Sequence, residues 1–214
     1  MDITEFQEQI ILGTLLGDAY IGKLPKKGKS YSIGWEHSLK QENYALWKAK
    51  NCLINYSFYK RDRLDNRTNK IYNSIVCYST KNNYQYYREL FYKNKKEISE
   101  DILNKLKPLA IAVWYMDDGN LYYNSNNCHL NLAVNSFENK QLIIDWFKKN
   151  YDLNFKISGK SIRLTSKKEC EKFMNIVEQY IHEDLKYKIL SEALLIYKNN
   201  LSPEKLNRRW KKNR

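Results

Sequence analysis

The sequence predicts an α+β fold built from two pseudo-symmetric repeats, each running α-β-β-α-β-β-α. Two apolar runs, ILGTLLGDA at 11–19 and IAVWYMDDG at 111–119, both close on an aspartate followed by a small residue. Those aspartates, Asp18 and Asp118, stand 100 positions apart in a chain of 214. After each run come stretches with the two-residue period of strands, separated by segments with the longer period of helices. The order of these stretches is the same in both halves, the sign of an internal repeat.

Each element has its own local reason. The runs at 11–19 and 111–119 are apolar nearly all round, which suits buried helices. In 30–38, Tyr31, Ile33 and Trp35 fall on one strand face and Ser30, Ser32 and Glu36 on the other, with LPKKGK before them as a hairpin loop. LKQENYALWKAKNCLINY has helical spacing, and Ser38 suits its N-cap. FYKRDRLDNRTNKIYNSIVCYST reads as two strands around a basic loop, and KNNYQYYRELFYK as a helix. In the second half, NLYYNSNNCHLNLAVNS reads as two strands about an Asn-rich turn. FENKQLIIDWFKKNY is a helix with Ser136 in the place of Ser38. LNFKISGKSIRLTS turns tightly at Ser158-Gly159-Lys160, and KKECEKFMNIVEQYI is a helix. KYKILSEALLIYKNN adds a last helix. The repeats are read as 1–95 and 108–200, with a polar linker at 96–107 and a basic tail at 201–214.

Charge narrows the partners. Lys and Arg number 37 against 24 Asp and Glu, a net charge of +13. Such a surface favours a polyanion, with nucleic acid ahead of an anionic membrane. No stretch is long and apolar enough to span a bilayer, and MDITEFQEQI lacks a signal-peptide pattern. Cys52, Cys77, Cys128 and Cys170 form no C-x-x-C pair, which argues against zinc and for buried free thiols in a reducing compartment. His37 and His182, with no Cys or His beside them, read as structural. The abundance of Lys, Asn, Ile and Tyr matches AT-rich codons.

The carboxylates carry the chemistry. Gly13 and Gly17 give the first run a flat stripe against which another helix backbone can pack closely. If the partner is the second run, a pseudo-two-fold axis brings Asp18 and Asp118 side by side. Carboxylates at two helix C-termini are electrostatically disfavoured, and in close contact one would keep its proton. A divalent cation reverses both penalties: Mg²⁺ takes carboxylates together with waters and phosphate oxygens. Either aspartate alone reads as a helix-end residue; the pair in a basic chain reads as a metal site.

ILGTLLGDAYI and LAIAVWYMDDGNL resemble the two signature motifs of the LAGLIDADG homing endonucleases, in the single-chain, two-motif branch, and the repeated element order extends the likeness over nearly the whole chain. The resemblance implies saddle-shaped antiparallel sheets over DNA, with the motif helices as the seam between repeats. It implies Asp18 and Asp118 as catalytic, metal-binding aspartates, with Mg²⁺ as cofactor and Mn²⁺ as a substitute. It offers the backbone carbonyls of Ala19 and Asp117 as further ligands, with Asp117 in a supporting role. Lys96 and Lys188 match assisting basic positions, with Lys95 and Lys186 as rivals. Ala19, Val113 and Trp114 depart from the motif and bear on the seam geometry.

Backbone contacts are expected from Lys23, Lys26, Lys27 and Lys29, from Arg61, Arg63, Arg67 and Lys70, and from Arg208, Arg209, Lys211 and Lys212. Base reading is expected on strand faces carrying Ser30, Ser32, Tyr72, Ser74, His129, Asn131, Asn135, Lys156, Ser158, Arg163 and Thr165, with Lys160 at a hairpin tip. The expected activity is site-specific cleavage of double-stranded DNA by a monomer, at a long asymmetric target and leaving 3′ overhangs. An RNA maturase acting on its own intron is the alternative on the same fold. No membrane partner is expected. The expected setting is intracellular, in an organelle that encodes the protein or in an AT-rich bacterium.

Overall fold

The structure, a computed structural model, describes residues 3–22, 30–53, 55–80, 84–124, 128–134 and 138–199. The expected contacts Lys23, Lys26, Lys27, Lys29, Asn135, Arg208, Arg209, Lys211 and Lys212, the cap Ser136 and the basic tail lie outside these residues.

The first repeat runs α1 (Glu5–Leu16), β1 (Tyr20–Ile21), β2 (Ile33–Ser38), α2 (Glu42–Cys52), β3 (Ser57–Asp65), β4 (Lys70–Ser79) and α3 (Gln85–Phe91). A short α4 (Glu100–Asn104) leads to the second: α5 (Pro108–Asp118), β5 (Gly119–Tyr123), β6 (Cys128–Ala133), α6 (Lys140–Tyr151), β7 (Lys156–Ser158), β8 (Ser161–Leu164) and α7 (Lys167–Val177), with α8 (Leu190–Asn199) following. The expected order holds in both halves. Each repeat makes one four-stranded antiparallel sheet, β1-β2-β4-β3 and β5-β6-β8-β7. All four cysteines are buried and free. No helix among the described residues is long and apolar enough to cross a membrane.

Local chemistry sets the helix ends. Thr4 and Gln7 form a capping box at the start of α1. Pro108 stands in the first turn of α5, where its missing N–H costs nothing. Ser38 caps a short 3-10 turn, Leu39–Gln41, ahead of α2. In the second repeat the capping side chain is Asn139, which accepts from the Leu142 N–H. Gly159, at φ +58°, supplies the left-handed residue of the β7–β8 turn.

Strand alternation separates a core face from an open face. Ile33, Trp35, Ile75 and Cys77 lie under the first sheet and Leu130, Leu132, Ile162 and Leu164 under the second, all fully or almost fully buried. α2 packs against β2 and β4, and α7 against β6. The segment 96–107, expected as a polar linker, is a built part of the core: Ile98, Ile102, Leu103 and Leu106 are buried. Its apolar residues point inward at helical spacing among charged neighbours, which hid them in the composition.

At the centre α1 lies against α5. Every residue from Gln9 to Leu16 and from Leu109 to Met116 is buried. The glycine stripe does what its spacing predicts. A Cβ on Gly13 would stand 2.4 Å from the Ala110 carbonyl oxygen, and one on Gly17 would stand 2.4 Å from the Asp117 Cβ. Gly13→Ala should therefore destabilise the fold by about 1–3 kcal/mol through overpacking. An unhindered helix site would gain about 1 kcal/mol from the same change. Urea unfolding decides the sign, and a gain would mean that the seam is looser than described.

Candidate active site

The seam helices end together. α1 unwinds at Gly17, so that the Ala19 N–H reaches back to the Thr14 carbonyl, and β1 begins at Tyr20. α5 runs straight into β5 at Gly119. Between these ends lies a cleft of about 470 Å³ lined by Asp18, Ala19, Tyr92, Lys96, Asp118 and Val134 among others. Both sheets start at its rim, so their open faces flank it.

Asp18 and Asp118 face this cleft, as the pseudo-two-fold reading requires. Burial, then the nearby Asp117 charge, pushes the Asp18 carboxyl up to about 7, and the same two causes push Asp118 up to about 6. Neither carboxylate accepts a hydrogen bond among the described residues. Two hard oxygen ligands held near each other without donors are under-neutralised, a condition that a cation relieves.

Asp117 has a different environment. Its side chain is fully buried. Lys48 Nζ lies 2.8 and 2.9 Å from its two oxygens, Tyr44 Oη donates at 2.7 Å and Thr14 Oγ1 at 2.9 Å. The Asp18 backbone N–H also donates to it, at 3.3 Å. Burial alone would raise its pKa, but Lys48, then His37, outweighs burial and holds it below the usual carboxylate value. Lys48 and Tyr44 come from α2, Thr14 from α1 and Asp117 from α5. This buried pair therefore ties both repeats together and fixes the backbone on which Asp18 stands. The carboxylate is taken up inside the seam by Lys48, Tyr44 and Thr14.

The lysines are distinguished by burial. Lys96 Nζ donates to the Gly17 and Ala19 carbonyls at 3.2 and 3.1 Å. Lys188 Nζ donates to the Met116 and Tyr115 carbonyls at 2.6 and 3.4 Å, while Tyr115 Oη donates to the Lys188 carbonyl. Each ammonium thus sits at the C-terminal end of one seam helix, where the helix dipole favours a cation. Burial lowers both pKa values, that of Lys96 to about 8. The rivals lie elsewhere: Lys95 pairs with Glu138 and Lys186 with Glu183 on the surface. The Ala19 carbonyl, expected as a metal ligand, is here an acceptor for Lys96. α3 holds Lys96 in place, since Tyr92 bridges to it while Tyr92 and Arg88 grip the Ile21 backbone.

His37 lies beside this site, buried, with its Nδ1 3.0 Å from Gln41 Oε1. Its Nδ1 lies 3.6 Å from Asp18 Oδ2 and its Nε2 lies 3.8 Å from Asp117 Oδ1. Asp18, His37 and Asp117 offer ligand atoms within 4.8 Å of one another, although Lys48 already neutralises Asp117. Burial, then Lys48, pushes the imidazole down to about 4. The alternation Ile33, Trp35, His37 places it on the core face and was the available signal. His182 does keep a structural role, accepting from the Asp184 N–H.

The expected DNA-facing residues divide as alternation demands. In the first sheet, Arg61 pairs with Ser74 and Arg63 with Tyr72 on the open face, and Lys70 shares it. Arg67 is exposed at the hairpin turn, and Ser30 and Ser32 lie ahead of β2. In the second sheet, His129, Asn131, Lys156, Ser158 and Arg163 share the open face, with Thr165 and Lys160 exposed at its ends.

Two measurements follow from the buried groups. Lys48→Met leaves Asp117 buried without a counter-ion and should cost about 3–5 kcal/mol in urea unfolding. Adding Asp117→Asn should recover part of that loss; no loss in the single variant would remove the pair's structural role. The second concerns pH. A carboxyl held near 7, against 3.8 in an open chain, keeps a proton that the unfolded chain has lost. Between those values its contribution to stability falls as pH rises. Asp18→Asn should therefore gain in Tm over the parent, in chelator, as pH goes from about 4 to 7. A constant difference would mean that Asp18 titrates normally.

Comparison with known proteins bears on the family and the fold. Residues 8–173 match the model of the LAGLIDADG DNA endonuclease family. The chain is 28% identical over 202 residues to "Probable intron-encoded endonuclease 1" of Wickerhamomyces canadensis, covering 88% of this chain and 85% of that protein. It is 23% identical over 206 residues to the RecA protein of Mycolicibacterium chitae, covering 88% of this chain and 47% of that one. In fold it resembles the homing endonuclease I-WcaI, solved bound to its DNA recognition sequence, with a TM-score of 0.75 at 24% identity over 89% of this chain and 88% of that one. The chain belongs to the LAGLIDADG DNA endonuclease family.

Proposed function

We propose that this chain is a metal-dependent, site-specific endonuclease that cuts both strands of a DNA duplex across the cleft, leaving 3′ overhangs. The carrying observation is the pair Asp18 and Asp118: partly open carboxylates without donors, under-neutralised, each with a buried lysine at its helix end. One chain supplies both halves of the site and two unlike reading faces, which suits an asymmetric target.

The donor set fits a hard divalent cation, Mg²⁺ first and Mn²⁺ as a substitute, held by Asp18 and Asp118. Bound there, it would lower the pKa of a water and neutralise phosphate charge. The chain's own residues do the rest. Asp18 and Asp118 orient the attacking water through their free carboxylate oxygens. Lys96 and Lys188 each spend N–H donors on helix-end carbonyls, which fixes their ammonium groups beside developing phosphate charge. Lys48 and Asp117 hold the Asp18 backbone still. The sheets seat the duplex, with cations on phosphates and side chains on base edges.

Cleavage of a randomised duplex library in Mg²⁺ tests this reading. Ends should cluster on one long site with 3′ overhangs, vanish in chelator, and fall by about 100-fold or more in Asp18→Asn and in Asp118→Asn. Undiminished cutting by both variants would sink the assignment. Tight binding and faster splicing of a structured intron RNA, with no cutting, would move the function to RNA.

A further inference from the structure

On the open face of the first sheet, three side chains from three strands meet. Ser74 of β4 lies directly opposite Arg61 of β3, and Glu36 of β2 reaches both. Arg61 donates from Nε to Glu36 Oε1 at 3.1 Å and from Nη2 to Oε2. Ser74 Oγ donates to the same Oε1 at 2.7 Å. Beside them opens a recess of about 630 Å³ lined in part by Arg63, Tyr72 and Asn66.

A guanidinium carries five N–H groups in a fixed plane. The Nε–Nη2 edge is taken by Glu36. The other edge, Nη1 and Nη2, keeps two parallel N–H donors and cannot swing without breaking the first pair. Such a fork matches O6 and N7 of guanine in the major groove. Charge weighs against the alternative assignment. Arg61 reads from sequence as one of a run of phosphate-neutralising cations. With Glu36 paired to it, the unit is neutral and offers the backbone little attraction, while the carboxylate repels phosphates. What remains is direction. Ser74 completes the brace by fixing the carboxylate that fixes the arginine. An exposed ion pair kept only for stability would gain little from its geometry, and this one stands on the face that flanks the cleft.

We infer that Arg61, braced by Glu36 and Ser74, reads one guanine of the target, and that Glu36 is a positioning residue for specificity. The inference rests on the endonuclease reading above. Its test uses the full chain and the duplex that the wild-type protein selects from a randomised library. Binding without divalent metal is then measured on that duplex and on every single-base-pair variant of it. Arg61→Lys keeps the charge and loses the fork. It should bind the selected duplex about 10- to 100-fold more weakly and cease to discriminate at one G·C pair alone. Glu36→Gln should weaken discrimination at that same pair, and the charge-conserving Arg61→Lys should leave the salt dependence of binding unchanged. Equal weakening on all duplexes would make Arg61 a phosphate contact, and unaltered discrimination would make the trio a surface ion pair; either overturns the inference and leaves the endonuclease intact. A wild-type protein that selects no sequence removes both readings.

Discussion

Gly13 and Gly17 let two helix backbones approach until a β-carbon would not fit between them. That distance governs most of what the molecule does. It converts two independent repeats into one core with a shared wall. It also places two helix C-termini, and so two aspartates, at one point between two sheets. The buried pair Lys48–Asp117 then fixes the register of that contact. It links α2, α1 and α5 through a carboxylate with five donated hydrogen bonds. Separating the repeats would expose this charge network together with the apolar lengths of both helices.

The site depends on the same pair for its electrostatics. An ionised Asp117 beside Asp18 and Asp118 discourages their ionisation, while Lys48 keeps Asp117 itself charged. The protein thus favours the charged form of one carboxylate in its interior and leaves two others short of positive charge at the edge. Lys96 and Lys188 supply part of that charge, but from the carbonyl ends of the helices and without bonding to either aspartate.

Much of this was legible in the sequence because periodicity and repetition are long-range signals that survive without coordinates. The element order, the open and buried strand faces, the seam glycines and the paired aspartates all followed from spacing. Three things did not. His37 sits in a strand pattern that marks it as buried, yet nothing in the pattern says that α1 and α5 end beneath it. Lys48 reads as one of many lysines on a helix, and its partner lies 69 positions away. Glu36 reads as the polar side of a strand, and only the register of β2, β3 and β4 brings Arg61 and Ser74 to it. Each of these depends on which strands are neighbours, a fact that local composition does not carry. The burial within 96–107 was hidden for another reason: charged neighbours masked the apolar residues Ile98, Ile102, Leu103 and Leu106.

The seam is also asymmetric where the two motifs meet. Gly17 of the first repeat faces Asp117 of the second, and these are matching positions in the two motifs. A symmetric pairing of two first repeats would set glycine against glycine and strand both copies of Lys48 without a counter-ion. A symmetric pairing of two second repeats would force two carboxylates and their β-carbons into space where one of them already leaves no room for a methyl group. Each half thus complements the other at positions where it would not complement a copy of itself. Freed of the need to match itself, each sheet can drift toward its own half of a target.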